Sequence, residues 1–435
     1  MKIAIIGSGI AGLTAAHHLH PEHEITLFEA GSHVGGHVDT HDVQLGDTHY
    51  AVDTGFIVFN HRTYPRFTEL LAELDVASQP SDMSFAVSCQ RGGLEYNGTS
   101  LNALFAQRGN LLKPRFWGML RDILRFNREA PKLLAELEQA DVELSNQELK
   151  RPELSLGDYL DQGGYGRHFR DYYILPMGAA IWSTDPALML DFPARFFIRF
   201  FINHGLLSVT DRPQWRTIKG GSRSYVERLI APFRARVRLN TPVHRLTRHA
   251  DYVDLHLAAG SERFDAVFLA CHSDQALALL ADPTQAESEV LSAIPYQANE
   301  AVLHTDTTLL PKRKLAWAAW NYLMPDGPGG RVCLTYDMNI LQDIAAPETL
   351  CVTLNASERI DPAKAIARMT YHHPLFTLAG VAAQARQREI NGTARTYYCG
   401  AWWGNGFHED GVVSALAALR HLRDDQLHWQ QRKAA

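Results

Sequence analysis

Gly7, Gly9 and Gly12 stand directly behind an isoleucine-rich run, Lys2 to Ile6, and just before an apolar, helix-like stretch from Leu13 to Leu19. The run has the composition of a strand buried on both faces of a parallel sheet. In that setting each glycine has its own task. Gly7 makes the tight turn, Gly9 lets the backbone through Ile10 and Ala11 come close to a pyrophosphate, and Gly12 lets the helix pack on the strand. The helix N-terminus then offers free N–H groups and a partial positive charge to the phosphates. A second strand, Glu24 to Phe28, ends at Glu29, seventeen residues after Gly12. A carboxylate at that tip accepts hydrogen bonds from both ribose hydroxyls and repels a 2′-phosphate. A glycine turn without a nucleotide is far the poorer account of strand, loop, helix and acid in register. These residues therefore point to an adenine dinucleotide lacking a 2′-phosphate, either NAD or FAD.

Further glycine-rich pieces recur along the chain. Gly35 and Gly36 precede His37, and Gly55 interrupts the apolar run around Phe56, where a flat ligand or another backbone can come close. Near the end, Gly400 and Ala401 lead through Trp402, Trp403, Phe407 and His408 to Gly411, with a helix predicted over Val412 to Leu422. Helix N–H groups at Gly411, Val412 and Val413 would face developing negative charge such as a reduced flavin carries. The alternative, that Asp410 is simply a helix N-cap, stands beside this reading. Two indoles could wall an apolar substrate and His408 could move a proton, against the plainer reading of aromatic core plus a surface histidine.

The bulk numbers narrow the class. A chain of 435 residues exceeds one ordinary core, so two domains are expected. Apolar content of 46% with 21% charged residues describes a globular protein, and a net charge of −6 gives no reason to expect nucleic acid. A strand beginning at residue 2 leaves no room for a signal peptide, which suggests a cytoplasmic location. The most apolar stretch, Phe196 to Val209, is broken by Arg199, Asn203 and His204, so no membrane span is expected. Five scattered cysteines without a C-x-x-C suit reduced thiols. No metal is expected: His408–Glu409–Asp410 is not H-E-x-x-H, and the histidines at 17, 18, 20 and 23 fit a hydrated helix end.

The order of the segments carries the architecture. Residues 62 to 209 read as mostly helical, with a hairpin around Gly92–Gly93 and a long amphipathic helix from Lys113 to Gln139 bearing Arg121, Arg125, Arg128 and Lys132 on one stripe. Residues 217 to 271 return to an α/β rhythm: Lys219-Gly-Gly221 before a helix, a strand over Val237–Val243, a hairpin, and a buried strand at Ala266–Ala270. Strands are predicted near 300–305, 316–322, 331–337 and 350–354. The fold class is α/β, a Rossmann-like cofactor domain made discontinuously from 1–61, 210–275 and 391–435. An α+β cap from 62–209 and 276–390 binds substrate.

Taken together, Gly7/Gly9/Gly12, Glu29, Gly35–Gly36, Asp53-x-Gly55, Lys219-Gly-Gly221, Asn240-Thr-Pro-Val243 and Gly400 through Gly411 resemble the flavin-containing amine oxidase, protoporphyrinogen oxidase and phytoene desaturase superfamily. Within it the chain is most similar to a bacterial branch of NAD/FAD-binding, amine-oxidase-like proteins. The resemblance implies FAD, with Glu29 on the adenosine ribose, Val243 beside the adenine, Gly55 and Phe56 near the isoalloxazine, and Gly411 to Val413 at its pyrimidine edge. His37 stands where the family usually has an arginine on the pyrophosphate, and Ala401 where it usually has an acid. The family's flavin-linking cysteine motif is missing, which implies non-covalent FAD. By the same resemblance Trp403 and His408 lie over the flavin as catalytic candidates.

The function implied is an FAD-dependent oxidoreductase, a dehydrogenase, desaturase or oxidase, that takes hydride to flavin N5 from an apolar, lipid-like substrate. Alternatives are a flavin-dependent isomerase of unsaturated lipids, an amine oxidase, or a non-catalytic flavin-holding partner. No second G-x-G-x-x-G follows, so electrons leave to an acceptor the sequence does not name. The basic stripe on helix 113–139 is by default a solvated face. Its alternative is peripheral contact with anionic headgroups on the inner membrane face.

Overall fold

The structure is a computed structural model, described here for residues 1–144, 154–208, 211–326 and 331–434. Its organising sheet is parallel and five-stranded. Lys2–Ile6 lies at the centre, flanked by Glu24–Phe28 on one side and Ala266–Leu269 on the other. Val237–Arg238 and Thr396–Tyr398 form the edges. Ile3, Ala4 and Ile5 have no solvent exposure, because helices cover one face and a small antiparallel sheet with two helices covers the other. Gly9 is the N-cap of the opening helix, Ile10–Leu19, which begins three residues before the apolar pattern suggested.

The strand expected over Val237–Val243 stops after Arg238. Asn240 takes a left-handed φ of 49°, and the N–H groups of Asn240 and Thr241 donate to the carbonyls of Gly31 and Glu29. This turn wraps the end of the Glu24–Phe28 strand before Val243 starts a separate three-stranded antiparallel sheet.

A seven-stranded mixed sheet forms the second layer system. It takes Phe85–Cys89 and Leu94–Asn97 from the first insertion, and Tyr296–His304, Trp320–Met324, Cys333–Asp337, Cys351–Leu354 and Ala365–Pro374 from the second. The last of these strands was not foreseen. It is an edge strand with half-exposed, mixed residues, and it pairs along nine positions with Tyr296–His304. Helices Pro114–Leu144, Leu175–Trp182 and Ala194–Asn203 supply side chains to the same core.

Packing is shared across the expected divides. Tyr64, Phe67, Leu70 and Leu71, on or beside the helix Pro65–Glu73, share a core with Ile3, Ile5 and the opening helix. Helices Ser273–Leu279 and Gln285–Ser292 pack with Ala4, Val267 and Leu269. Both segments therefore pack against the nucleotide-type unit. The closing helix runs His408–Ala434, four residues longer at its start than the sequence suggested. Among the described residues no helix is long and apolar enough to cross a membrane.

Candidate active site

One cavity of about 980 Å³ runs from the first glycine turn into the cap. Its near end is built by the turn itself. Gly7 has φ of 101°, and a Cβ there would lie 2.7 Å from the Ala270 carbonyl oxygen. At Gly12 a Cβ would sit 2.0 Å from the Gly7 oxygen, so the helix and strand touch only because Gly12 has no side chain. Gly9 differs from both: a Cβ added there meets nothing within 4 Å. No side chain caps the opening helix at Gly9, so its first N–H groups are left to whatever enters the cavity.

Glu29 sits at the adenosine end. Its carboxylate accepts from the Ser8 N–H at 2.9 Å and the Gly31 N–H at 2.8 Å, which fixes its direction. Thr241, Pro242 and Val243 line the same end. An open glycine, an uncapped helix start and an oriented carboxylate on one cavity wall fit the diphosphate and ribose of FAD.

Of the residues singled out from sequence, Gly7, Gly9, Ile10, Ala11, Glu29, Gly35, Gly36, His37, Gly55, Phe56, Val243, Ala401 and His408 line this cavity. Gly12, Trp403, Gly411, Val412 and Val413 do not. Gly12 is occupied with helix–strand contact. Because the closing helix starts at His408, the Gly411 N–H already donates to the Phe407 carbonyl at 3.2 Å. A Cβ on Gly411 would lie 2.6 Å from Ile10, so this glycine serves the crossing of two helices. Val412 is core and Val413 is 45% exposed. The helix start that meets the cavity lies at His408, not at 411–413. Gly55 lies against backbone: its Cβ would be 2.2 Å from the His37 oxygen.

The indoles divide. Trp402 lines the cavity and its Nε1 donates to the Cys271 carbonyl at 3.1 Å. Trp403 packs behind it, ring centroids 4.2 Å apart, with its Nε1 enclosed and unbonded. Asp410 is not the N-cap that the sequence allowed: it lies inside the first turn and reaches back to accept the Phe407 N–H at 2.9 Å, and burial pushes its carboxyl up to about 6. Gln384 donates to the carbonyls of Trp402 and Gly404, each at 2.7 Å, and so pins the loop before the helix.

His408 stacks on Phe56 with ring centroids 3.4 Å apart, and its Nε2 shares a 3.0 Å hydrogen bond with the Tyr225 hydroxyl. Burial drives its pKa well below the ordinary histidine value. That burial favours the neutral imidazole, held by its hydrogen bond with Tyr225.

Sequence reasoning named His37 but missed the histidines that meet it: His272, His372 and His373 line the cavity beside it. His37 stacks on Tyr371 at 5.2 Å and lies 5.5 Å from His373. Burial, with neighbouring histidines adding to it, lowers His37 to about 4 and His373 to about 3. The doublet before Pro374 was visible in the sequence, but its strand was not.

The family profile for flavin-containing amine oxidoreductases matches residues 10–353. The chain belongs to that family. The cavity's near end suits FAD. Among curated proteins it is similar to "Putative flavin-containing monoamine oxidase AofH" of Mycobacterium tuberculosis, 24% identical over 285 residues. That match takes in 65% of this chain and 59% of the relative, so the chain spans under two thirds of the relative's length. Among solved structures, a "Putative protoporphyrinogen oxidase" from Exiguobacterium sp. 255-15 superposes with a TM-score of 0.67 at 17% identity, over 98% of this chain and 99% of that one. A "CLA-producing fatty acid isomerase" from P. acnes gives 0.66 at 17% identity, over 96% and 98%. These likenesses show the α/β fold.

Proposed function

We propose that the protein is an FAD-dependent oxidoreductase that dehydrogenates an apolar, lipid-like substrate. One observation carries this reading: beyond the cofactor end, the cavity continues into the cap between walls of Leu104, Leu120, Ile123, Met177, Ile181 and Tyr173. Among the described residues Glu29 is the one carboxylate lining the cavity, and it lies at the glycine-turn end beside Ser8. An alkylammonium group entering the cap would find no countercharge, and an isolated buried cation is strongly disfavoured.

Bound FAD supplies the two-electron acceptor. The chain's own residues do the rest. Phe376, Phe407 and Trp402 line the cavity where cap and nucleotide unit meet, and there they restrict a chain-like substrate and exclude water. Stacking on Phe56 and the Tyr225 hydroxyl hold the His408 ring in one orientation. Hydride abstraction from carbon asks for position and dryness more than for a strong base, which suits a wall with no ionised acid.

The test is anaerobic addition of candidate substrates to the purified yellow protein, guided by mass spectrometry of lipid that copurifies with it. Loss of the oxidised-flavin absorbance on adding an unsaturated or branched acyl lipid is the expected result. Anaerobic bleaching by amines, with hydrogen peroxide released once air is readmitted, would make it an amine oxidase. Double-bond movement only after pre-reduction, with no acceptor consumed, would make it an isomerase.

A further inference from the structure

Five of the most exposed large apolar side chains fall between residues 101 and 124: Leu101 at 78%, Leu111 at 46%, Leu112 at 88%, Trp117 at 49% and Leu124 at 62%. They cluster locally. The Trp117 ring lies 5.5 Å from Phe105, and its Nε1 donates to the Leu111 carbonyl at 2.9 Å. On the helix Pro114–Leu144, the positions Trp117, Arg121, Leu124 and Arg128 recur at helical spacing on one face, with Lys113 one turn before. All five are exposed. The face therefore alternates apolar and basic groups instead of segregating a polar, solvated side.

Charge selects the partner. Residues 101–128 hold six basic side chains, at 108, 113, 115, 121, 125 and 128, against one acid, Asp122, in a chain whose net charge is −6. Asp122 is turned inward, where it accepts the Gly166 N–H at 3.0 Å. Arg125 is also withdrawn, its guanidinium 4.0 Å over the Tyr165 ring. One acid borders the segment, Glu129, 3.5 Å from Arg128, and Arg121 lies 3.9 Å from the inward Asp122. The outer face of residues 101–128 is otherwise apolar and cationic, the composition that binds the headgroup region of an anionic bilayer.

The face also borders the cavity. Leu120, Ile123, Leu124 and Asn127 line it from this helix, and Leu124 is at once lining and 62% exposed, so the apolar passage reaches the surface here. We infer that residues 101–128 dock the protein on a membrane surface bearing anionic phospholipid, so that an acyl chain passes from the bilayer into the cavity without crossing water. Docking rests on the surface alone, whereas delivery of substrate rests on the lipid-substrate reading above.

The experiment is flotation of the FAD-loaded full chain with vesicles of phosphatidylglycerol and phosphatidylcholine, or of phosphatidylcholine alone. The wild type should float with the anionic vesicles, at least tenfold more than with neutral ones, and raised salt should release it. L101E/L112E and R121E/R128E should each cut the floated fraction at least tenfold while keeping the flavin spectrum and melting temperature. The first pair tests insertion and the second tests charge, and none of these four residues lines the cavity. Equal flotation of wild type and both variants, or none at all, would overturn docking. So would loss of self-association in the variants with no vesicle binding by the wild type. A protein that docks as described but whose flavin no lipid bleaches keeps the docking surface and loses the lipid-substrate reading. Bleaching by detergent-dispersed lipid in wild type and L101E/L112E alike, with vesicle-held lipid effective only for the wild type, supports both.

Discussion

The Asp53 carboxylate accepts both the backbone N–H of Ser222 at 2.9 Å and its hydroxyl at 2.7 Å. Thr40 donates to it at 2.6 Å and Gln342 Nε2 at 2.9 Å. One buried side chain thus joins the strand before Gly55, the Lys219-Gly-Gly221 turn and the cap. Burial pushes its carboxyl up to about 6. Asp53→Asn would set an amide N–H₂ against donors, and we expect a loss of about 1–3 kcal/mol in a urea titration. The neutral variant would also lose the pH dependence that Asp53 contributes around 6.

Gly9 and Gly12 should separate binding from folding. Gly9 has φ of −68° and open space where a Cβ would go, so Gly9→Ala should melt like the wild type. The added methyl fills the opening that the diphosphate needs, and FAD affinity should fall at least tenfold by fluorescence titration. Gly12→Ala, with its Cβ 2.0 Å from the Gly7 oxygen, should destabilise the fold itself. Unchanged FAD affinity in Gly9→Ala would refute the placement.

Trp402 and Trp403 make a second pair of opposites. Trp402→Phe should shift the flavin absorption bands and the KM for substrate, because Trp402 lines the cavity. Trp403→Phe should lower the melting temperature modestly and leave the spectrum alone.

Acid should weaken the fold over a defined window. Burial lowers His37, His204 and His304 to about 4 and His373 to about 3, and holds His408 well below its usual value. Depressed groups give stability that is full above the unfolded pKa near 6.5 and lost as pH falls towards the folded values. Each such histidine takes away up to about 1.4 kcal/mol per pH unit in that range. Asp53, Asp337 and Asp410, raised to about 6, act in the opposite sense, their contribution fading as pH rises through 6. Five histidines against three aspartates leave a net fall from pH 6.5 to 4, readable as a lower urea midpoint at pH 5 than at pH 7.

The nucleotide half of the molecule was readable because its signals are local. A strand, a glycine turn and an acid at the next strand's tip lie within thirty residues, and each dictates backbone position without help from elsewhere. The start of the closing helix was hidden by the glycines before it, since Gly404, Gly406 and Gly411 read as turn until Asp410 is seen reaching back to Phe407. The histidine group could not be read, because residues 37, 272 and 372–373 meet only after three separate strands have been placed. The strand Ala365–Pro374 failed for a related reason. As an edge it needs neither continuous apolar residues nor clean alternation.

The central strand's partners on one side are Ala266–Leu269 and, beyond it, Thr396–Tyr398. Translation therefore delivers Ile3 and Ile5 hundreds of residues before the neighbours that shelter them. A nascent chain holding only its first half carries a coenzyme cradle that lacks a wall and its covering helix. A complete cradle for FAD exists only once the chain past Thr396–Tyr398 has been made, and until then the sheet keeps an unsheltered parallel edge.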